Sequence, residues 1–206
     1  MKRSSTARVI LVAGAMACGS SPPSTFYALV PEAGVAHSAY VHTIRLRRPG
    51  IPAYLDRPEV VQKVADFRLG LVDSDRWAAP LDEMLGRVLA QDIEQRFRGT
   101  SVFVEDGPIT ADADATIEVD VRRFDVGDAG RLHLLAEVAV ENGVTHAPVG
   151  TRAVSLEQAP VGGTTVALVS AMSDLVGKLA DQTVALVCEA TLAHGSNLGS
   201  AATSAR

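Results

Sequence analysis

The pattern of apolar and polar residues predicts β-strands in two separate parts of the chain. In the first part, short runs rich in β-branched and aromatic residues alternate with Pro, Gly and charged residues, as strands and turns do. These runs cover residues 25–30, 40–47, 59–64 and 66–72, and a further short run covers 101–105. We expect five short strands within one folded unit.

The second part carries the clearest strand signal, three alternating runs that are predicted to form a meander and cover residues 117–126, 132–140 and 149–158. In the first of these runs the alternation slips before Phe124, which predicts a β-bulge near Arg122 or Arg123. The dipeptide Asn142-Gly143 favours a tight hairpin turn, because both central residues of that turn need positive φ.

Two segments change to a helical period. Residues 80–98 place apolar side chains on one face, with Pro80 suited to the first helical position and Gly99 able to end the helix. A longer helix is predicted to open with Thr164 as its cap and to end near His194-Gly195. The order of strands, helix, strands and helix predicts an α+β fold, with a mainly antiparallel sheet and two principal helices packed on one face.

The N-terminus has the pattern of an export signal. Three basic residues precede an apolar run from Val9 to Ala17, which is about half the roughly 20 residues that a membrane-spanning helix needs. We therefore expect residues 1–17 to be a signal peptide and residues 18–24 to be a Gly/Ser/Pro tether. A single periplasmic domain is then expected over 25–195, with a disordered tail over 196–206.

Cys18 is the predicted site of a lipid anchor. The join Ala15-Met16-Ala17-Cys18-Gly19 resembles a lipobox, in which the cysteine is acylated before the signal peptide is removed. It departs from that pattern at Ala15, where such boxes usually carry Leu. Ala15 and Ala17 also satisfy the small-x-small rule of an ordinary secretory cleavage site, so a soluble periplasmic product is the alternative.

Charge and cysteine content argue against a nucleic-acid partner and against a reactive thiol. Removing Lys2, Arg3 and Arg8 lowers the basic count from 19 to 16 against 24 acidic residues, which gives a mature net charge of −8. A chain this acidic, with scattered Arg and Lys, is not built to neutralise phosphates, so no nucleic-acid partner is expected. Cys188 lies in an apolar helical run and is interpreted as a buried side chain rather than a reactive one.

The polar residues do not form a recognisable reaction centre. The five histidines lack metal-ligand spacing, so no metal site is expected. Gly162-Gly163-Thr164 lacks the Lys and the glycine spacing of a phosphate-binding loop, so helix capping explains it better. Asp112 and Asp114 lie in a polar lead-in to a strand, where solvation is the default. We assign no catalytic residue and expect a protein that is not an enzyme.

Two stretches are more specific. Residues 51–61 read IPAYLDRPEVV, and residues 75–81 read DRWAAPL. They resemble the signatures of the ABC-type transport auxiliary lipoproteins, the PqiC/YmbA family, and Phe26-Tyr27-Ala28-Leu29 is similar to the family's early strand motif. The signature residues are Tyr54, Leu55, Asp56, Arg57, Pro58, Arg76, Trp77, Pro80 and Leu81. The resemblance covers most of residues 18–98 and rests on element order beyond them.

These residues also have a physical reading that does not depend on the family. Pro52 and Pro58 restrict the backbone on both sides of Tyr54 and Leu55, which predicts a defined corner. Large side chains such as Tyr54, Leu55 and Trp77 are interpreted as core or corner anchors rather than ligand contacts. Asp56 and Arg57 are candidates for a local ion pair, or for a cap on the turn.

The resemblance implies a lipoprotein held by its acyl chains, usually on the outer membrane, with the inner membrane open as the alternative. It implies work beside an MCE-domain protein and an ABC or PqiA-like permease that move lipid between membranes, with no cofactor beyond the covalent lipid. A homo-oligomeric ring follows only by analogy with parts of the family. The rival hypothesis is a lipid-binding carrier with an acyl-chain groove between the two helices, and a periplasmic enzyme is the third.

Overall fold

The fold is built from ten strands and two helices within the part of the chain that the structure describes. The structure is a computed structural model that describes residues 23–38, 41–65, 68–109, 111–127 and 129–203. The elements are β1 Thr25–Tyr27, β2 His37–Ser38, β3 Thr43–Leu46, β4 Glu59–Ala65, β5 Arg68–Trp77, α1 Leu81–Arg96, β6 Phe97–Arg98, β7 Ser101–Val104, β8 Ala115–Val126, β9 Leu132–Asn142, β10 Pro148–Gln158 and α2 Thr165–Thr203. The predicted signal peptide and Cys18 lie outside the described residues.

The main sheet has five strands in the order β10-β9-β8-β3-β7. Strands β8, β9 and β10 form the predicted antiparallel meander, while β3 pairs in parallel with both β7 and β8. A second sheet has the order β1-β5-β4, and β2 pairs with β6. Most of the pairing is antiparallel, and the predicted α+β class is confirmed.

The helices cover one face of the main sheet. Helix α1 contacts β7, and α2 contacts β9, β10 and α1. Along β9, side chains alternate between buried and half-buried, which is the pattern of a strand with one face on the core and one towards solvent. On the other face, Arg122 pairs with Glu137 and Arg47 with Glu118, so cross-strand ion pairs occupy the face that the helices leave open.

The predicted β-bulge is present in β8. The register against β9 shifts between Val121, which pairs with Ala136, and Arg123, which pairs with Leu135. Because the bulge adds one residue to β8, Phe124 returns to the core face and is only 1% exposed. The slip in the sequence alternation was therefore a reliable sign of the bulge.

The β9–β10 connection differs from the prediction. The Asn142 amide donates to the carbonyl of Ala147 at 2.9 Å, so the loop is longer than a two-residue turn. The positive φ falls on His146, at 55°, and not on Asn142 or Gly143. Gly143 is needed for a different reason, since a Cβ there would lie 1.8 Å from the carbonyl oxygen of Ala113. The prediction of a tight Asn-Gly turn was wrong.

Both helices begin as the sequence indicated, within one residue. Pro80 precedes α1 with φ −49° and ψ 133°, so it is the residue before the helix rather than its first residue. Thr164 caps α2 through a hydrogen bond from the Ala167 amide to its Oγ1 at 3.2 Å. After α1, Gly99 adopts a φ of 81° and the chain turns into β7.

Helix α2 does not end near Gly195 as predicted but continues to Thr203. A glycine inside a helix costs about 1 kcal/mol relative to alanine but does not force an end, as a proline would. The segment after Gly195 contains no proline and has good helix formers in Leu198, Ala201 and Ala202. In the described part of the chain, neither helix has the length and hydropathy needed to cross a bilayer.

Strands β1 and β3 are shorter than predicted, and β5 extends further along the chain. Strand β1 ends at Tyr27, because the chain then leaves the sheet and the Val30 amide donates to Ser173 Oγ of α2 at 3.1 Å. Strand β3 starts at Thr43. Strand β5 extends to Trp77, because β1 pairs with its last residues on one side and β4 on the other.

Candidate functional site: the signature corner

The segment that carries the first signature forms a tight corner after β3. The Leu55 amide donates to the Pro52 carbonyl, and the Arg57 amide donates to the Leu55 carbonyl, both at 2.9 Å. Proline at 52 and 58 fixes φ at both ends of this segment and restricts the residue before each ring. The corner predicted from the sequence is therefore present, with Leu55 buried beneath it at 2% exposure.

The second signature lies against the first. The Trp77 amide donates to the Pro58 carbonyl at 2.8 Å, and Arg76 pairs in register with Glu59 across β5 and β4. Trp77 also pairs in register with Tyr27 of β1, so the early strand motif joins the same place. Two segments some twenty residues apart in the sequence are thus brought together as one structure, which we call the signature corner (residues 52–59 and 75–81).

Most of the large signature side chains are anchors. Leu55, Trp77 and Leu81 are 2%, 6% and 2% exposed and belong to the hydrophobic core. Pro80 accepts a hydrogen bond from the Met84 amide through its carbonyl, at 3.1 Å, and so helps to start α1. This placement agrees with the structural reading of these residues as core and corner anchors.

Tyr54 ties the corner to the main sheet. Its hydroxyl donates to Asp125 Oδ2 at 2.5 Å, near the end of β8. Asp125 is 2% exposed, and its Oδ1 accepts from Nε and Nη2 of Arg123 at 3.0 and 2.9 Å. A carboxylate with both oxygens hydrogen-bonded tolerates burial. Burial and the bond to Asp125 together raise the pKa of Tyr54 well above its ordinary value, so the phenol stays protonated as the donor.

The polar cluster continues across the next two strands. His133 on β9 pairs in register with Asp125, and Glu157 on β10 pairs with His133. His133 Nδ1 lies 3.2 Å from Glu157 Oε1, and Arg131 Nε donates to Glu157 Oε2 at 2.9 Å. The bond from Arg131 lowers the pKa of Glu157 below its usual value.

Sequence reasoning missed Asp125, His133 and Glu157. They occupy paired positions on three neighbouring strands, so they become neighbours only when the register of the meander is known. The bulge near Arg122 moves the register of β8 by one residue, and its exact position decides whether Asp125 faces His133. The cluster could have been found from the sequence only if the bulge had been assigned to its exact residue.

The rim of the corner presents charged groups. Asp56 and Pro58 are exposed and Arg57 is half-buried, but the hypothesised Asp56–Arg57 ion pair does not form among the described residues. Arg76 Nη2 lies 3.9 Å from Glu59 Oε1. In the part of the chain that the structure describes, Nε of Arg57 and Nε of Arg76 are buried without a hydrogen-bond acceptor. Two guanidinium groups thus lie at the rim, each with its Nε enclosed and the rest of the side chain partly exposed.

Other candidate chemistry stays dispersed. Across residues 23–203, as far as they are described, no three His, Cys, Asp or Glu side chains group in a way that could hold a metal ion. Cys188 is half-buried on α2 against the core, and burial raises its pKa. Asp114 accepts from the amides of His42 and Thr43, at 2.9 and 3.0 Å, and so fixes the start of β3.

The fold and the corner together define a small α+β domain in which the signature residues hold two chain segments together. The model of the family described as ABC-type transport auxiliary lipoprotein component matches residues 27–184, and the chain belongs to this family. The family is one of envelope lipoproteins with an auxiliary role in transport. A search of curated proteins gives no significant match.

Two solved structures share the fold, and a third has a weaker similarity. Protein XCC0632 from Xanthomonas campestris has a TM-score of 0.66 at 15% identity, covering 84% of this chain and 99% of that chain. A crystal structure of an uncharacterized protein has a TM-score of 0.63 at 18% identity, covering 79% of this chain and 97% of that one. The PelC dodecamer from Paraburkholderia phytofirmans has a TM-score of 0.43 at 10% identity, covering 76% of this chain and 93% of that one.

Proposed function

We propose that this chain is a non-catalytic docking component of a lipid-transport system, held on the periplasmic side of the outer membrane by lipid on Cys18. Its partners in this proposal are an MCE-domain protein and an ABC or PqiA-like permease. The observation that carries the proposal is the convergence of the family signatures on one corner whose rim presents the half-exposed guanidinium groups of Arg57 and Arg76. Arginine at a rim of this kind suits recognition of a partner's carboxylates or carbonyls.

Core packing favours docking over the carrier alternative. An acyl-chain carrier needs the apolar faces of α1 and α2 to leave a groove between them. Instead, Leu85, Leu89 and Ile93 of α1 are buried completely, as are Leu175 and Leu179 of α2. The two helices also contact each other, so their apolar faces are used to close the core.

The anchor gives the proposal its energetic basis. Each buried CH₂ of an acyl chain contributes about 0.8 kcal/mol to membrane binding, and two or more chains hold a protein firmly. The anchor would keep this domain at one membrane, so that a partner that bridges the periplasm can bind it there.

Capture of the partner tests this function. The tagged, full-length protein, produced in its own host and solubilised in detergent, should co-purify with an MCE-domain protein identified by mass spectrometry. Arg57→Ala together with Arg76→Ala should reduce the captured amount at least several-fold. Arg87→Ala is the matched control, because Arg87 is exposed on α1 and its side chain pairs only with Glu83 of the same helix among the described residues. If the wild-type protein captures no MCE-domain protein, the docking function is wrong.

A further inference from the structure

Three large apolar side chains are exposed close to where β1 starts. Phe26 is 65% exposed, Val166 is 66% exposed and Val161 is 95% exposed. Side chains of this size are ordinarily buried, and an exposed group of them marks a contact surface. We call Phe26, Val161 and Val166 the apolar end surface.

Hydrogen bonds and strand register hold the residues that precede Phe26 and Val166 close to each other. Thr25 pairs with Asp75 across β1 and β5, and Thr165 Oγ1 donates to Asp75 Oδ2. Gln62 Nε2 donates to Thr165 Oγ1 at 2.5 Å, so β4 is part of the same junction. Phe26 and Val166 are the next residues along the chain from Thr25 and Thr165. Val161 precedes the same helix start by four residues.

The apolar end surface lies at one end of the main sheet. Val161 lies three residues after the end of β10, and Val144 lies in the loop before the first residue of that strand. The 11 residues of β10 span about 34 Å, so Val144 is at the opposite end of the molecule. The signature corner is at the same end as Val161. Tyr54 of the corner bonds to Asp125 of β8, and Asp125 pairs with His133 of β9. His133 in turn pairs with Glu157, the residue before the last of β10.

The length of the tether decides which end can meet the membrane. Thr25 follows Cys18 by seven residues, and seven residues reach at most about 25 Å when fully extended. This reach is shorter than the span of about 34 Å that separates the two ends of β10. A lipid on Cys18 therefore allows the end that holds β1 to touch the bilayer, and it does not allow the domain to stand inverted on its Val144 end.

We propose that the apolar end surface rests in the interfacial region of the bilayer that holds the anchor, with Phe26 at the level of the lipid headgroups and upper acyl chains. This inference rests on the lipid anchor of the proposed function. Exposed apolar side chains beside an anchor gain burial at that interface, which adds to the hold of the acyl chains. The signature corner then lies near this membrane, and the Val144 end points away from the membrane.

Tryptophan quenching by brominated lipid tests the orientation. The lipidated full-length protein carrying Phe26→Trp is reconstituted into phosphatidylethanolamine/phosphatidylglycerol vesicles, with or without lipids brominated on their acyl chains. Val144→Trp is the matched control, because Val144 is 79% exposed at the opposite end. The native Trp77 is 6% exposed, and the wild-type protein in the same vesicles gives its background.

We expect brominated lipid to reduce the background-corrected emission of Phe26→Trp at least two-fold and to leave that of Val144→Trp unchanged. Equal emission of Phe26→Trp in both vesicle types overturns the inference. A blue shift without quenching also overturns it, because the residue is then covered by another protein chain. Flotation of the vesicles tests the anchor separately. If the protein does not float with the vesicles, both the lipid anchor and this inference are wrong. If the protein floats but Phe26→Trp is not quenched, this inference alone is wrong.

Discussion

At the scale of single residues, the guanidinium of Arg96 joins both helices to the segment after β1. Arg96 is 2% exposed, and it donates to Asp181 Oδ1 at 2.5 Å and to the carbonyl of Gly177 at 3.0 Å, both on α2. It also donates to the carbonyls of Glu32 and Asp92, both at 2.9 Å. A buried charge with this many partners is tolerated, and it fixes the relative position of three segments.

Asp92, next to this group, makes stability depend on pH. It is 0% exposed, its Oδ1 accepts from the Glu32 amide at 2.7 Å, and burial raises its pKa from 3.8 to about 6. The folded protein therefore binds this proton more tightly than the unfolded chain. The contribution of Asp92 to the free energy of unfolding is greatest below about pH 4 and falls as pH rises to about 6.

Asp92→Asn should remove this dependence. A pKa raised to about 6 corresponds to a loss on the order of 3 kcal/mol in the free energy of unfolding on going from pH 4 to pH 7. We expect the variant to gain stability relative to the wild type as pH rises over that interval. Urea unfolding at pH 4.5, 5.5 and 7 measures it, and parallel pH profiles for the two proteins would contradict the assigned titration.

Tyr54→Phe tests the link between the corner and the sheet. Removing the hydroxyl leaves Asp125 Oδ2 buried without its donor, which costs about 1 to 3 kcal/mol in the free energy of unfolding. Tyr27→Phe, at a half-buried tyrosine of the neighbouring sheet, is the control and should change stability by less. Thermal unfolding of both variants compares them, and equal losses would show that the bond to Asp125 contributes nothing particular.

At the scale of elements, the β9–β10 loop depends on a glycine that has no room for a side chain. A Cβ at residue 143 would lie 1.8 Å from the carbonyl oxygen of Ala113, which is backbone and cannot turn away. We expect Gly143→Ala to lower the free energy of unfolding by about 1 to 3 kcal/mol through forced displacement. Gly163→Ala is the control, since a Cβ there meets no atom within 4 Å. Denaturant midpoints that move equally in both variants would refute the close approach.

Elements with a strong periodic pattern were predictable from sequence. The meander, its bulge and both helix starts follow from alternation and capping residues, which act over a few neighbours. The Asn142-Gly143 turn was predicted wrongly, because Asn142 Oδ1 instead accepts from the Val144 and Thr145 amides at 3.0 and 2.9 Å and supports a longer loop. The end of α2 was missed because glycine weakens a helix without ending it.

The candidate site was predictable only in part. Pro52 and Pro58 revealed a corner, since proline acts on its own backbone and on the preceding residue. The bond from Tyr54 to Asp125 joins residues 71 positions apart, and no local pattern reports it. The parallel pairing of β3 with β7 and β8 was missed for the same reason, because it depends on how distant segments meet.

At the scale of the whole molecule, the length of the tether and the positions of the two ends of the domain decide which end lies near the membrane in our proposal. The chain enters at β1, beside the signature corner and the start of α2, and the opposite end carries the β9–β10 loop. In the proposed arrangement, the signature residues lie close to a lipid anchor on Cys18. The function that we propose depends on position, which the proposed lipid on Cys18 would supply.

The intact mass of the mature protein, purified from its own host, tests the anchor directly. We expect a chain that begins at Cys18 and carries the added mass of a diacylglyceryl group and an amino-terminal acyl chain. Cys18→Ala should lose this added mass and leave the membrane fraction. A wild-type chain that begins at Cys18 without any added lipid mass, or one that keeps residues 1–17, would contradict the anchored lipoprotein.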